Sequence, residues 1–181
     1  MLFFFRFSMV GYGGSISYEE VISVKQEKWK VYALWIGLSL GVGVLSGLLS
    51  RPGMEGFQET VVQPPLSPPA ILFPIVWTLL YTLMGISAAK IWLAETSELR
   101  SRGINLFIAQ LVVNFFWSLI FFDARLFPLA FLWLLLLWGL VGWMIITFRK
   151  VDSKAALLQV PYFLWLTFAV YLSGGVWLLN A

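Results

Sequence analysis

The stretch QPPLSPPAILFPIVWTLLYTLMGIS, from Gln63 to Ser87, decides the fold of this chain. It opens with two Pro-Pro pairs. Proline fixes φ and pushes the preceding residue into an extended conformation, so residues 64–69 are predicted to form a rigid, non-helical collar. Trp77 and Tyr81 lie four residues apart in the apolar run that follows, and therefore on one helix face. The stretch therefore predicts a helix with an aromatic face, preceded by a rigid proline-rich loop that lies over the mouth of whatever this face lines.

The composition places the chain in a membrane. Hydrophobic residues make up 60% of it and charged residues 12%, and no soluble domain of this size can hide so much apolar surface. The sequence contains neither cysteine nor histidine, which excludes disulfides, zinc sites, histidine-ligated haem and Ser-His catalysis. We predict an all-α integral membrane protein that is not an enzyme, with no catalytic residues, metal site or required cofactor, and with the lipid bilayer rather than nucleic acid as its partner.

Five apolar segments define the domain organisation, each close to the roughly 20 residues that an α-helix needs to cross a bilayer. We place the helices at about 31–50, 70–93, 104–122, 127–148 and 155–179, within a membrane domain over residues 31–181. Residues 1–30 are predicted to be a cytoplasmic, poorly ordered N-terminal extension. Its apolar start is too short for a signal peptide and lacks a basic region before it.

Loop charges predict the orientation of the bundle. Ten basic residues precede the first helix or lie in the two connections on the same side, whereas only Arg51 and Arg125 lie on the other side. The positive-inside rule therefore predicts a cytoplasmic N-terminus, with the collar and the C-terminus outside. Helical spans are typical of a bacterial inner membrane, and an organelle membrane is the alternative.

Helix surfaces suggest packing roles. The first segment carries Gly37, Gly41, Gly43 and Gly47, a small-xxx-small pattern that favours close packing either within one chain or in a homodimer. Four tryptophans near helix ends are predicted to lie at the membrane–water interface: Trp29, Trp35, Trp92 and Trp177.

The third segment carries a polar stripe. Gln110, Asn114 and Ser118 recur every four residues, with Trp117 beside them. Amides in hydrocarbon need partners, so the stripe faces either neighbouring helices or a ligand cavity. In the fifth segment, Tyr162, Trp165 and Ala169 form a second aromatic face with a small residue that leaves room beside it.

These motifs resemble the TspO/MBR family of tryptophan-rich sensory proteins, which includes the mitochondrial translocator protein, also called the peripheral benzodiazepine receptor. Three segments carry the resemblance over roughly residues 31–180: the collar with Phe73, Pro74, Trp77, Thr78 and Tyr81; the run Asn114-Phe-Phe-Trp117; and Pro161-Tyr-x-x-Trp165-x-x-Phe168-Ala169. The resemblance implies a five-helix bundle and a receptor or sensor that binds a tetrapyrrole such as protoporphyrin or haem, or related flat lipophilic ligands.

The same resemblance implies the site. Ligand-binding residues would be Trp77, Tyr81, Asn114, Trp117, Trp165 and Ala169, beneath loop and collar residues Phe57, Pro64, Pro68 and Pro69. Two alternatives stay open: a transporter of porphyrin or another lipophilic solute, and a light-dependent porphyrin-degrading enzyme. The chain departs from the family in having Gln63 in place of the usual lysine before the collar and Phe57-Gln58 where Trp-Tyr is common, which weakens the enzyme alternative.

Overall fold

The computed structural model describes residues 18–181, all helices and connecting loops over that range. The helices are α1 (Tyr18–Leu49), α2 (Arg51–Met54), α3 (Phe57–Thr60), α4 (Leu72–Trp92), α5 (Glu98–Ser118), α6 (Phe127–Val151), α7 (Ser153–Leu158) and α8 (Val160–Leu179). A π-helical turn, Leu119–Asp123, continues α5. In the described part of the chain, five stretches are long and apolar enough to cross a membrane: Glu27–Leu49, Leu72–Trp92, Glu98–Asp123, Phe127–Val151 and Ser153–Leu179.

The prediction of a five-helix, all-α membrane bundle is confirmed, with differences at the helix ends. The first helix begins at Tyr18 rather than near residue 31, so residues 18–30 of the predicted extension are helical. Residues 1–17 of that extension lie outside the described residues. The predicted fifth helix is divided at Gln159 into α7 and α8. Pro161 lies in the first turn of α8, where a backbone N–H would have no partner within the helix, so the N–H that proline lacks is not missed.

Helices α1 and α4 pack closely because each carries a glycine at the contact. A Cβ atom at Gly85 would lie 2.5 Å from the Cα of Ile36, and one at Gly43 would overlap the ring of Tyr81. Gly37 and Gly41 instead face open space on the outer side of α1. Packing within one chain therefore explains Gly43, whereas a homodimer through the outer glycines stays a prediction.

The end of the bundle away from the collar is joined by an ion pair that links α4 to the α6–α7 junction. Lys90 Nζ lies 2.9 Å from Asp152 Oδ2, and Asp152 also caps α7 by accepting the Lys154 and Ala155 N–H groups. Partial burial raises the pKa of Asp152, but these hydrogen bonds and the lysine charge outweigh burial, so the pKa lies below its ordinary value. Lys90, in the last turn of α4, therefore forms an ion pair with a specific partner, Asp152.

Trp35 corrects one sequence prediction. Trp35 is buried in the protein rather than exposed as a residue at the membrane–water interface would be. Its ring centroid lies 5.6 Å from those of both Trp92 and Phe107. Its position near the predicted start of the first helix suggested an interface residue, but α1 begins earlier, so Trp35 lies within the bundle. Trp29 is 60% exposed, as an interface residue would be.

Candidate functional site

A cavity of about 670 Å³ lies under the collar, between α1, α4, α5 and α8. Its walls are mainly aromatic and small apolar residues. The aromatic lining consists of Phe57, Phe73, Trp77, Tyr81, Trp117, Phe121, Phe122, Trp165 and Phe168. Such a volume and lining are typical of small-molecule sites, which are concave and mostly apolar with a few polar groups.

Two aromatic pairs shape the walls on α4 and α8. The ring centroids of Trp77 and Tyr81 are 5.3 Å apart, as expected for residues one helical turn apart. Phe73, one turn before Trp77, meets Trp165 of α8 edge-on at 6.0 Å. Ala169 follows Trp165 by one turn and lines the same wall. The cavity is therefore flanked by indole faces from two different helices, which can stack on a planar ligand.

Buried hydrogen bonds close the cavity on the side away from the collar. Asn114 Nδ2 donates to the Tyr81 hydroxyl at 3.0 Å, and the Tyr162 hydroxyl donates to Gln110 Oε1 at 3.0 Å. Both bonds join α5 to a neighbouring helix. Asn114 and Gln110 of the polar stripe thus each make one hydrogen bond between helices, although Gln110 Nε2 is buried without a partner. The third member, Ser118, accepts a hydrogen bond from Ser46 of α1.

The collar covers the opposite end of the cavity and is fastened to α8. A Cβ atom at Gly175 would lie 2.6 Å from Pro64 Cβ, so the proline packs directly on this glycine. The Tyr171 hydroxyl donates to the Pro65 carbonyl at 2.9 Å, and Ser67 Oγ donates to the Pro64 carbonyl. Leu66 takes a left-handed conformation with φ 69°, which bends the chain between the two Pro-Pro pairs.

The cavity brings together seven of the ten residues predicted from sequence: Phe57, Pro68, Trp77, Tyr81, Trp117, Trp165 and Ala169. The other three lie elsewhere. Asn114 donates a hydrogen bond to Tyr81 and does not line the cavity. Pro64 packs on α8, and neither it nor Pro69 lines the cavity. These two prolines shape the collar without contacting the enclosed space.

Sequence reasoning missed the contributions of α1 and of the π-helical turn. Gly43, Ser46 and Gly47 line the cavity because small residues leave room there, although their pattern indicated only helix packing. Phe121 and Phe122 reach the cavity from the π-helical turn. A π-helical turn redirects side chains relative to α-helical spacing, so no periodicity in the sequence could place them.

Metal ligands do not gather at this cavity. Within residues 18–181, no group of three or more Asp and Glu side chains could hold a metal ion. The polar residues of the lining are largely hydroxyls, of which Thr78 donates to the Pro74 carbonyl and Ser67 to the Pro64 carbonyl. The arrangement can stack on and desolvate a flat molecule, with a few polar groups available to orient it.

A comparison with protein-family models matches residues 35–178 to the TspO/MBR family. The chain belongs to the TspO/MBR family. It is 38% identical over 153 residues to the tryptophan-rich protein TspO of Chlorobaculum tepidum, covering 82% of this chain and 94% of that protein. It is also 38% identical over 168 residues to the translocator protein homolog of Schizosaccharomyces pombe, covering 91% and 99%.

Relatives in the TspO/MBR family carry names that describe sensing or translocation. The tryptophan-rich sensory protein of Cereibacter sphaeroides is 28% identical over 152 residues, covering 84% of this chain and 92% of that protein. The translocator protein of Ovis aries is 35% identical over 127 residues, covering 68% and 75%. TspO/MBR membership thus agrees with the five spans and confirms the resemblance inferred from the three motifs.

Proposed function

We propose that this TspO/MBR protein is a membrane sensor or receptor that binds tetrapyrroles, such as protoporphyrin or haem, and related flat lipophilic ligands in the cavity under the collar. The convergence of Trp77, Tyr81, Trp117 and Trp165 on one cavity carries this proposal. Indole and phenol faces stack on planar rings, and each such pair is worth about 0.5–1.5 kcal/mol beyond the burial of area. Ala169 leaves space beside Trp165 for the ligand plane.

Binding would depend on stacking and burial rather than on the iron of haem. Haem iron is usually held by histidine, cysteine, methionine or tyrosine, and the chain has no histidine or cysteine. The only methionine and tyrosine in the described lining are Met54 and Tyr81. The Tyr81 hydroxyl already accepts a hydrogen bond from Asn114. Metal-free protoporphyrin is therefore expected to bind about as tightly as haem.

The closed side of the cavity favours sensing over transport. A solute moving away from the collar would have to separate the buried Tyr81–Asn114 and Tyr162–Gln110 pairs. Breaking buried hydrogen bonds without new partners costs about 1–3 kcal/mol for each group left unsatisfied. A receptor needs no such opening, because its ligand would enter and leave through the mouth at the collar end.

The test is a protoporphyrin titration of purified protein in nanodiscs, followed by porphyrin fluorescence and tryptophan quenching. Trp165→Ala should weaken binding by about tenfold, since one stacking partner contributes on the order of 1.4 kcal/mol. Trp143→Ala is the matched control, because Trp143 is 54% exposed and does not line the cavity. Non-saturable quenching that is equal in all three proteins would show that porphyrin only partitions into lipid, and would refute the proposal.

We further propose that the collar faces outward from a bacterial inner membrane, with the N-terminal end of α1 in the cytoplasm. The lack of native cysteine makes the test direct. Glu55→Cys lies at the collar end and Glu95→Cys in the α4–α5 loop, and both native side chains are exposed. A membrane-impermeant maleimide should label the Glu55→Cys protein in intact cells, and the Glu95→Cys protein only after the cells are opened. The reverse pattern would overturn the orientation.

A further inference from the structure

Among the side chains that the structure describes, at residues 27–57 and 59–181, Glu59 is the one carboxylate that lines the cavity, and no lysine or arginine lines it. The side chain is exposed at the collar end, on the short helix α3. Of the two basic residues at that end of the described chain, Arg51 is committed to Glu55 at 3.3 Å, and neither Arg51 nor Arg125 lines the cavity. The mouth of the cavity therefore carries a negative charge without a positive counterpart in its lining.

The position of Glu59 is fixed by its neighbours on both sides. Phe57 is buried, with its ring centroid 5.1 Å from Phe122 and 5.4 Å from Phe121. On the other side, the Val62 N–H donates to Asn180 Oδ1, and Asn180 Nδ2 donates back to the Val62 carbonyl. The segment that holds Glu59 is thus clamped to the π-helical turn and to the end of α8, which keeps its charge at the mouth.

The nearby polar groups do not compensate this charge. Gln63 and Ser67 are neutral, and Ser67 donates its hydroxyl proton to the Pro64 carbonyl. Walls of low polarity strengthen electrostatic interactions at such an opening relative to bulk water. A ligand carboxylate brought to the mouth would lose hydration and meet a like charge, whereas a neutral or cationic group would not.

We infer that the cavity discriminates by charge: it disfavours ligands that present carboxylates at its mouth and favours neutral esters or amides, or cationic amines. This inference rests on the proposed function and narrows its substrate class. Protoporphyrin carries two propionates, so its ester should be the better ligand. Glu59 acts as a specificity-determining residue, while the aromatic walls supply most of the affinity.

The experiment compares protoporphyrin with its dimethyl ester in nanodiscs of zwitterionic lipid, at low and high salt. For the wild-type protein we expect the ester to bind about threefold to tenfold more tightly, a preference that shrinks at high salt because screening weakens exposed charges. Glu59→Gln should reduce the ratio toward one. Glu95→Gln removes the same charge from the α4–α5 loop at the other end of the bundle and should leave the ratio unchanged, because Glu95 is exposed and does not line the cavity. Comparing ratios between variants cancels the greater lipid partitioning of the ester.

A second probe pair separates failure of this inference from failure of the proposed function. The same titrations are run with 1-pyrenebutyrate and its methyl ester, which are flat and apolar but are not tetrapyrroles. If neither porphyrin binds saturably while the pyrene pair shows an ester preference that depends on Glu59, tetrapyrrole binding is refuted and charge discrimination stands. If ester-to-acid ratios are the same in wild-type and Glu59→Gln protein for every pair that binds, or if no probe of either pair binds, the inference is overturned.

Discussion

At the scale of single residues, Asn114 shows how a polar group can shape the cavity without lining it. Its amide is buried and holds the Tyr81 hydroxyl at 3.0 Å, which fixes the ring that lines the cavity beside Trp77. The spacing of the polar stripe predicted that Asn114 would be buried. It could not predict the partner, because helical periodicity defines a face but not the side chain that meets it.

Removing this amide should destabilise the protein. Asn114→Ala leaves the buried Tyr81 hydroxyl without its donor, so we expect a loss of about 1–3 kcal/mol in the free energy of unfolding. Asn105→Ala is the control on the same helix. Asn105 is exposed, and its replacement should change stability by less than about 0.5 kcal/mol. Thermal and denaturant unfolding in detergent measure both, and equal losses would contradict the assigned role of Asn114.

At the scale of elements, the collar is held against α8 by the packing of Pro64 on Gly175, together with the hydrogen bond from the Tyr171 hydroxyl to the Pro65 carbonyl. Pro64 fits only because residue 175 is glycine, since a Cβ there would lie 2.6 Å from Pro64 Cβ. The two Pro-Pro pairs predicted a non-helical collar, and residues 64–69 are non-helical. The glycine that receives it lies more than a hundred positions later in the chain, and no local pattern connects the two.

Gly175→Val should therefore loosen the collar while leaving the spans intact. We expect faster hydrogen exchange in peptides covering residues 64–69 and weaker porphyrin binding, because the cover of the cavity is displaced. Gly139→Val is the matched control on α6, where an added side chain meets open space. Hydrogen exchange followed by mass spectrometry gives the readout. Unchanged exchange in the collar of Gly175→Val protein would argue that Pro64 does not anchor it.

At the scale of the whole molecule, the number and order of the spans follow from hydrophobic length alone, and the structure agrees. Other features depend on contacts between distant segments. The Lys90–Asp152 pair and the clamp of Asn180 on Val62 join residues far apart in sequence. The backbone of Phe122 also approaches Gly53 so closely that a Cβ there would lie 2.6 Å from the Phe122 carbonyl carbon. The Asn180 clamp and the Gly53–Phe122 contact fix the mouth of the cavity, and the Lys90–Asp152 pair joins helices at the opposite end of the bundle. Local sequence patterns could not predict these contacts because their partners lie far apart in the chain.

The measurement that tests the central claim most directly is protoporphyrin binding by a variant whose cavity is filled by a larger side chain. Ala169→Phe adds a ring beside Trp165, whereas Leu164→Phe adds a similar bulk on the same helix at a residue that is 63% exposed and does not line the cavity. We predict that protoporphyrin binding in nanodiscs weakens by at least about tenfold in the Ala169→Phe protein, because the added ring occupies the space beside Trp165 that the ligand needs in order to stack there. Binding by the Leu164→Phe protein should match wild type. Equal affinities in all three proteins, with folding intact, would place the porphyrin elsewhere and contradict the account.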